Sequence, residues 1–294
     1  IIIMTNDNYI SDLKTQFKDK VIVVTGSTQG MGAETAKLFA ARGAKAITIC
    51  GRNEENGKQV KKEVESFGSK CIFVKAELSD VNDCRNIISS TDQAFGTIHS
   101  LVNCAGYTER GTVISTTIDN YDKNFHINAR APFLLMQDSI KIMRRDNIKG
   151  TIASILSMAW YSGMPFLTAY SASKGALAIL IKNIANTVIA DQIRVNGLSP
   201  GWTETPGEHS IQKRVHDGGD DWLEKAEKKV PMKRLTKAID VARGLAFLCS
   251  DESGLMTGSI VDYDQSVSGW HSYSVYDATT VSYTHLTLPT NREV

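Results

Sequence analysis

Two kinds of hydrophobic pattern alternate along the chain. Short continuous apolar runs rich in β-branched residues, such as Lys20–Thr25 (KVIVVT), are typical of strands buried on both faces of a sheet. Longer segments repeat apolar residues at helical spacing, as in Met31–Arg42, which Gly43 can cap. The predicted strands are Lys20–Thr25, Lys45–Cys50, Lys70–Lys75, Ile98–Asn103, Gly150–Ser157, Ile193–Leu198 and Ser259–Asp262. The predicted helices are Met31–Arg42, Glu54–Phe67, Val81–Phe95, Asp119–Arg144, Thr168–Ala190 and Asp240–Cys249.

This alternation predicts the fold class. Strands and helices in strict succession give a parallel sheet with helices on both faces, and right-handed crossovers make it a doubly wound, Rossmann-type α/β sheet of seven strands. No linker or internal repeat interrupts residues 4–280, so we expect a single domain there. Ligands of such sheets bind beyond the carboxyl ends of the strands, which is where we look for chemistry.

Both ends of the chain differ from its patterned part. Met4 follows three isoleucines, and we interpret residues 1–3 as upstream sequence translated in frame. Val281–Val294 lacks the periodicity of the residues before it. We interpret this tail as an assembly remnant, with a natural terminal tail as the alternative, and leave both ends out of the fold prediction.

Composition and charge exclude several functional classes. The formal net charge is +1, with acids and bases interspersed, so the chain lacks the clustered basic face that nucleic-acid binding requires. No apolar run approaches the roughly 20 residues of a membrane span. The five cysteines form no C-x-x-C pair, and no residues have metal-ligand spacing. We therefore expect buried, reduced thiols, no metal and a cytoplasmic protein.

The turn after the first predicted strand carries a glycine pattern typical of dinucleotide binding. Glycines at 26, 30 and 32 allow a tight turn and close approach of the backbone to a pyrophosphate. The following helix directs its free N–H groups and its positive dipole end at that anion. A merely structural turn is the alternative interpretation. The candidate cofactor contacts here are Gly26, Ser27, Thr28, Gln29, Gly30, Met31 and Gly32.

A tyrosine and a lysine stand four residues apart in the predicted helix 168–190. At this spacing Tyr170 and Lys174 share one helix face. A free phenol has a pKa of about 10, and a nearby ammonium group favours the phenolate and lowers that pKa. The pair therefore predicts a tyrosine that exchanges a proton with an alcohol or a carbonyl oxygen. A buried tyrosine beside a solvent-facing lysine is the alternative.

Together these motifs resemble the short-chain dehydrogenase/reductase family. The glycine turn reads T-G-x-x-x-G-x-G, the form that this family carries, and Tyr170 and Lys174 have the spacing of its catalytic pair. The resemblance extends from about Lys20 to Asp264. It implies an oxidoreductase that transfers a hydride between NAD or NADP and an alcohol/carbonyl pair. It also implies a homo-oligomer, either a tetramer or a dimer.

The resemblance adds two catalytic residues to the pair. Ser157 lies thirteen residues before Tyr170, at the end of a predicted strand, and its hydroxyl can hydrogen-bond the reacting oxygen; Ser154 is the rival. Asn128 lies inside the long fourth helix, where an asparagine competes with helical hydrogen bonds. The family uses this asparagine to hold a water that relays protons between the lysine and solvent; Asn124 is the rival.

Further cofactor contacts follow the other strands. Arg52 can pair with a 2′-phosphate, and Gly51 stands where an NAD-binding member carries an acid, so we favour NADP over NAD. An exposed surface arginine is the alternative, and Gln29 stands where many NADP-binding members carry a basic residue. Thr205 has the family position for the nicotinamide carboxamide, with Thr203 second. The full set is Arg52, Glu77, Leu78, Asn103, Ala105, Gly106, Tyr170, Lys174, Pro200, Gly201, Thr203 and Thr205.

Two segments are expected to form the substrate side, Met158–Phe166 and a loop of about 203–233 that is long enough to act as a lid. Glu204, His209 and Trp222 suit a polyhydroxylated ligand; the alternative is that His209 and His216 are exposed loop residues. We expect a sugar, a polyol or another small hydroxy compound as substrate. One alternative is a 3-oxoacyl-carrier-protein reductase, which predicts a basic patch near the pocket. The other is a non-catalytic NAD(P)-binding sensor, which would normally have a broken tyrosine/lysine pair.

Overall fold

Seven parallel strands form the central sheet of the computed structural model, which describes residues 12–161, 163–216 and 218–266. The interpretations of residues 1–3 and 281–294 lie outside this part of the chain. The sheet consists of β1 (Val21–Val24), β2 (Ala46–Gly51), β3 (Lys70–Lys75), β4 (Ser100–Asn103), β5 (Thr151–Ile155), β6 (Arg194–Pro200) and β9 (Ile260–Tyr263), whereas β7 (Thr203–Glu204) and β8 (Thr236–Lys237) pair with each other.

The strand order is β3-β2-β1-β4-β5-β6-β9, and every pairing in the sheet is parallel. The predicted doubly wound, seven-stranded sheet is therefore confirmed. The chain moves outward from β1 to β3 and then returns to the other side of β1 with β4. In sheets of this kind a crevice opens at that reversal, beyond the carboxyl ends of the strands.

Helices cover both faces of the sheet. The helices are α1 (Gly30–Ala41), α2 (Glu54–Ser66), α3 (Val81–Phe95), α4 (Ile118–Phe125), α5 (Ala131–Arg145), α6 (Thr168–Val188), α7 (Pro206–Val215), α8 (Trp222–Lys229) and α9 (Ala238–Cys249). Side chains of α1, α2 and α9 pack on one face with Ile22 and Val24, and side chains of α3, α5 and α6 pack on the other with Val23. Adjacent residues of β1 thus enter opposite cores, which explains why the strand is continuously apolar.

The predicted helix Asp119–Arg144 is divided in the structure. α4 ends at Phe125, His126–Arg130 forms a π-helical turn, and α5 begins at Ala131. Pro132 lies in the first turn of α5 and has no N–H to donate to the preceding turn. The Ala131 N–H bonds to the carbonyl of His126, five residues earlier. A π turn accommodates the extra residue at this point, and such turns are often found at functional sites.

The expected lid loop of about 203–233 contains regular structure that the sequence analysis missed. It holds β7, α7 and α8. Thr205 caps α7 by accepting a hydrogen bond from the Glu208 N–H, and Pro206 follows at the first helical position. This signal was visible in the sequence. Trp222 and Ala226 of α8 form a small satellite core with Leu235.

No helix within the described ranges is both long enough and apolar enough to cross a bilayer. All five cysteines are buried thiols, as predicted.

Candidate active site

A cleft of about 1560 Å³ opens at the carboxyl edge of the sheet. Its walls come from the β1–α1 turn, the ends of β2, β4, β5 and β6, the first turns of α6, and α7. The cleft thus lies where the strand order predicts a crevice. Most sequence-predicted site residues line it, among them Gly26, Tyr170 and Thr205.

The glycine turn lets its backbone form the wall of this cleft. Gly26 has φ +60° and Gly30 has φ +56°, a region that residues with a Cβ rarely adopt. A Cβ on Gly26 would lie 2.7 Å from the Cα of Ala105, and a Cβ on Gly32 would collide with the carbonyl of Gly26. Gln29, the residue that precedes α1, makes no side-chain cap, so the first N–H groups of α1 remain available to an anion in the cleft. The turn fits a pyrophosphate.

Two residues predicted to contact the cofactor, Ser27 and Asn103, have side chains that hydrogen-bond within the sheet. The Ser27 hydroxyl donates to the carbonyl of Val24 at 2.6 Å and accepts from the Cys50 N–H at 2.9 Å, so it ties β1 to β2. The Asn103 amide donates to the Ser154 hydroxyl at 3.0 Å. Both side chains are buried in the sheet and do not line the cleft.

At the far end of the cleft, Arg52 lies beside Glu77. The guanidinium is 3.5 Å from the carboxylate, and the Arg52 side chain is 69% exposed. Glu77 also accepts a hydrogen bond from the Ser79 N–H at 3.2 Å, and therefore stabilises the turn before α3 as well. A ligand with a phosphate at this point would meet an arginine held by only one weak partner.

Tyr170 and Lys174 face the cleft from the first two turns of α6. Tyr170 is 8% exposed and Lys174 2%, and both line the cleft. The Lys174 ammonium donates to the carbonyl of Ile155 at 2.8 Å and lies 5.9 Å from the centre of the Tyr170 ring. The two groups lie side by side at the reactive end. The lysine does not face solvent, so the alternative interpretation of this pair is wrong.

The structure separates Ser157 from its rival. Ser157 lies two residues beyond β5, accepts a hydrogen bond from the Ala159 N–H at 3.2 Å, and is hydrogen-bonded to Tyr170. Ser154 lies inside β5, where its hydroxyl accepts from Asn103. Of these two serines, Ser157 lines the cleft and Ser154 does not. The predicted serine is thus the one placed beside the tyrosine.

The expected effect of the lysine on the tyrosine is not what the structure shows. Burial raises the pKa of Tyr170 above its usual value, while the hydrogen bond with Ser157 and the charge of Arg110 act in the opposite direction. Burial also lowers the pKa of Lys174 to about 8. The sequence argument included the attraction between the charges but not the loss of solvent around both groups.

Asn128 is completely buried and holds the backbone after β4. Its amide donates to the carbonyl of Tyr107 at 2.8 Å and to the hydroxyl of Ser173 at 2.9 Å, and its oxygen accepts from the Tyr107 N–H at 2.8 Å. Asn124, the rival, supports it by accepting at 3.3 Å. Asn128 therefore connects the π turn, α6 and the cleft wall, although its side chain is not part of that wall.

Replacing Asn128 with alanine tests this connection. Asn128→Ala removes the hydrogen-bond partner of the partly buried N–H and carbonyl of Tyr107, so we expect the free energy of unfolding to fall by about 2 kcal/mol. Denaturant titration measures this change. Asn183→Ala, at an exposed position of α6, is the matched control and should leave stability unchanged. Equal stability of Asn128→Ala and the wild type would contradict the assignment.

Both segments expected on the substrate side contribute residues to the cleft wall, but the three residues named for a polyhydroxylated ligand contact each other instead. His209 accepts a hydrogen bond from the Trp222 indole at 3.0 Å and lies 3.5 Å from Glu204. None of them lines the cleft. The cleft is also lined by Arg110, Trp202, Glu208 and Gln212, which were not singled out from the sequence. Glu208 and Gln212 fall within the expected loop of about 203–233. For Arg110 the available signal was its place in the loop after a strand.

Within the described ranges, no three histidine, cysteine, aspartate or glutamate side chains come together in a way that would hold a metal ion.

Comparison with known proteins finds relatives over nearly the whole described chain. A family model described as enoyl-(acyl carrier protein) reductase matches residues 26–268. An uncharacterised oxidoreductase of Thermotoga maritima is 34% identical over 248 residues, which cover 84% of this chain and 97% of the relative. An NADP-dependent (R)-specific alcohol dehydrogenase of Lentilactobacillus kefiri is 31% identical over 247 residues, or 83% of this chain and 94% of the relative. A solved structure described as a short chain dehydrogenase/reductase family protein superposes with a TM-score of 0.73 at 28% identity, covering 85% of this chain and 97% of the other.

Proposed function

Since the chain belongs to the short-chain dehydrogenase/reductase family, we propose that it interconverts an alcohol and a carbonyl compound with NADP or NAD as the hydride carrier. One observation carries this proposal. Tyr170, Ser157 and Lys174 meet in one cleft with the glycine turn, so a proton-transfer group and a dinucleotide-binding surface share the same space.

The proton chemistry belongs to Tyr170. Its buried hydroxyl has a raised pKa and is therefore protonated at neutral pH, ready to donate to a carbonyl oxygen. Ser157, already hydrogen-bonded to that hydroxyl, can donate to the same oxygen and stabilise the charge that develops on it. Lys174 places a cation behind the tyrosine, held by the carbonyl of Ile155. When bound, the nicotinamide supplies or accepts the hydride.

The cofactor-binding residues follow from the walls of the cleft. The turn 26–32 and the start of α1 would bind the pyrophosphate. Leu78, Ala105 and Gly106 offer an apolar, close backbone surface for the adenosine part. Near the reactive end, the Thr203 hydroxyl donates to the carbonyl of Gly201 at 2.9 Å, and the Thr205 hydroxyl caps α7. The residues proposed to receive the carboxamide are Pro200, Gly201, Thr203 and Thr205, all of which line the cleft.

The substrate class proposed here is a small hydroxy or oxo compound. The carrier-protein alternative predicts a free basic patch at the mouth of the pocket. Two cations of α7 are instead paired with acids: Arg214 with Glu109 at 2.8 Å, and Lys213 with Asp220 at 2.7 Å. The intact catalytic pair argues against the sensor. A homo-oligomer and a cytoplasmic location stay predictions; exposed apolar side chains on and before α4, among them Ile114 and Ile118, support the former.

The experiment that tests the proposed function measures turnover of a panel of ketones, aldehydes, sugars, polyols and hydroxy acids with NADP and NAD in both directions. We expect nicotinamide oxidation or reduction that depends on both substrates and matches product formation mole for mole. Cofactor binding without turnover of any compound would favour the sensor, and absence of binding would contradict the proposal as a whole.

Arg52 is expected to select NADP. Arg52→Ala removes the cation proposed to pair with the 2′-phosphate, so we expect the Kd for NADPH to rise about tenfold while the Kd for NADH stays within twofold. Because Arg52 is exposed, the difference should shrink as the salt concentration increases. Lys58→Ala on the neighbouring α2, outside the cleft, controls for general charge effects. An equal change for both cofactors would show that Arg52 does not read the phosphate.

A further inference from the structure

Arg110 lies in the loop between β4 and α4, close to the start of the helix that carries Tyr170. Its neighbour Gly111 forms a parallel bridge with Leu167, accepting from the Thr168 N–H at 3.3 Å and donating to the carbonyl of Phe166 at 2.9 Å. This bridge fixes the loop against the first turn of α6. Arg110 and Tyr170 both line the cleft.

The guanidinium of Arg110 is mostly buried but poorly bonded. Its side chain is 16% exposed, yet its contacts are long: 3.4 Å to the His216 imidazole, 3.5 Å to the carbonyl of Thr108 and 3.7 Å to the Glu208 carboxylate. A guanidinium carries five N–H donors, and its charge-assisted bonds to carboxylates are normally about 2.7–2.9 Å long. Arg110 therefore retains unused donor capacity inside the cleft.

Other arginines of this protein show what a satisfied pair looks like. Arg214 makes two bonds of 2.8 and 3.2 Å to Glu109, and Arg144 makes two of 2.7 and 2.9 Å to Asp191. Both pairs lie more exposed than Arg110. The most buried of these three guanidinium groups is thus the one with the weakest partners, the reverse of what stability alone would favour.

Glu208 does not satisfy Arg110 because its carboxylate is held elsewhere. One oxygen of Glu208 accepts from the Trp202 indole at 2.9 Å and from the Gln212 amide at 2.7 Å, both of which belong to the β6–α7 side of the cleft. The other oxygen stays 3.7 Å from Arg110. The Phe166 ring, 5.7 Å from the guanidinium carbon, holds Arg110 from a different side.

We propose that Arg110 binds a carboxylate carried by the substrate, which makes oxo acids and hydroxy acids the preferred substrates of this protein. This inference rests on the proposed function, since it concerns the same cleft. A carboxylate can form the paired N–H···O bonds that Glu208 does not make. The bound acid would lie between the loop after β4 and α7, next to the wall that carries Tyr170.

Two substitutions test this inference, because they should change kcat/KM for an acidic substrate in opposite directions. For an acid, Arg110→Met removes the attraction and should lower kcat/KM by tenfold to a hundredfold, roughly the value of one hydrogen-bonded charge. Glu208→Gln removes the competing negative charge but keeps an oxygen that can accept from the Trp202 indole and the Gln212 amide. This substitution should raise kcat/KM for the same acid severalfold. Both Arg110 and Glu208 also act electrostatically on Tyr170, so the uncharged methyl ester of the same acid serves as the reference. The ratio of kcat/KM for the acid to kcat/KM for the ester should fall in Arg110→Met and rise in Glu208→Gln.

The experiment uses the full chain with a series of oxo acids, each paired with its methyl ester. Arg144→Met, in an exposed pair at the end of α5, is the control and should leave the acid/ester ratio unchanged. Turnover of esters as good as that of acids, or equal losses for acid and ester in Arg110→Met, would overturn the inference while leaving the proposed function in place.

A binding measurement separates the two proposals when turnover is absent. Trp202 lines the cleft, so we expect its fluorescence to change when a ligand binds there. In the presence of NADP, we expect an acid to bind the wild type at least tenfold more tightly than its ester, and this preference to vanish in Arg110→Met. Acid-selective binding without turnover would contradict the oxidoreductase and support the anion site. A wild type without preference for the acid would overturn the anion site.

Discussion

Tyr170→Phe is expected to lower kcat by about 10²–10⁴-fold, the range over which a positioned proton donor contributes to catalysis. The substitution removes one oxygen from a side chain that is otherwise held by burial, and it leaves the ring, the cleft and the glycine turn unchanged. The Kd for NADPH should therefore stay within about twofold of the wild type. Steady-state kinetics and fluorescence titration measure the two quantities separately.

Tyr121→Phe is the matched control for this loss. Tyr121 lies on α4, is 44% exposed and stacks on Phe125, away from the cleft. We expect full activity in this variant. If Tyr170→Phe kept more than a tenth of the wild-type kcat, the proton would have to come from another group, and the assignment of Tyr170 would be wrong.

Lys174→Met is expected to lower kcat by about 10²–10³-fold, the size of effect seen when a preorganised electrostatic group is removed from an active site. Methionine approximately preserves the volume and removes the cation that lies 5.9 Å from the Tyr170 ring. Lys182→Met is the control, because Lys182 lies on the same helix and also donates to a backbone carbonyl, that of Gly258, but at the surface. Equal kcat in both variants would remove Lys174 from the mechanism.

Lys174→Met should also differ from the wild type in how the free energy of unfolding depends on pH. Burial lowers the pKa of Lys174 from 10.5 to about 8. Below pH 8 the folded protein carries a buried ammonium group, which lowers its free energy of unfolding. As the pH rises from 8 towards 10.5, the folded state loses that proton while the unfolded state keeps it. The destabilisation by the buried charge therefore disappears. The free energy of unfolding of the wild type, relative to Lys174→Met, should therefore rise by roughly 2–3 kcal/mol between pH 7 and pH 10. A constant difference across that range would contradict a buried, charged Lys174.

Hydrophobic periodicity and residue spacing were sufficient to predict the sheet and the side-by-side position of Tyr170 and Lys174. Apolar runs predicted all seven strands of the sheet. The five inner strands are almost wholly buried and need no polar position, whereas the edge strands β3 and β9 are partly exposed. Tyr170 and Lys174 lie on one face of α6 because helical geometry alone places residues four apart together. Ser157 was chosen over Ser154 by its place after the strand, and that place is what brings its hydroxyl into the cleft.

What spacing did not provide was the direction of side chains at turns and the effect of burial. Ser27 and Asn103 occupy motif positions, yet their side chains bond within the sheet. Arg110 lies in an irregular loop after β4; its place after a strand suggests the cleft, but the bridge between Gly111 and Leu167, which fixes the loop against α6, has no sequence pattern. The pKa of Tyr170 depends on how much solvent the fold removes, which no motif contains.

The π turn at 126–130 determines how the two helices that it joins, α4 and α5, are rotated relative to each other. Each helical residue turns the chain by about 100°, so the one extra residue in this turn sets the angle between the inward faces of α4 and α5. Within the turn, Asn128 hydrogen-bonds the Tyr107 backbone, and Asn124 of α4 accepts from Asn128. After the turn, Leu135 and Met136 of α5 pack into the core. The chain length of this segment is therefore fixed by two requirements at once, the shape of the cleft wall and the packing of the helix layer.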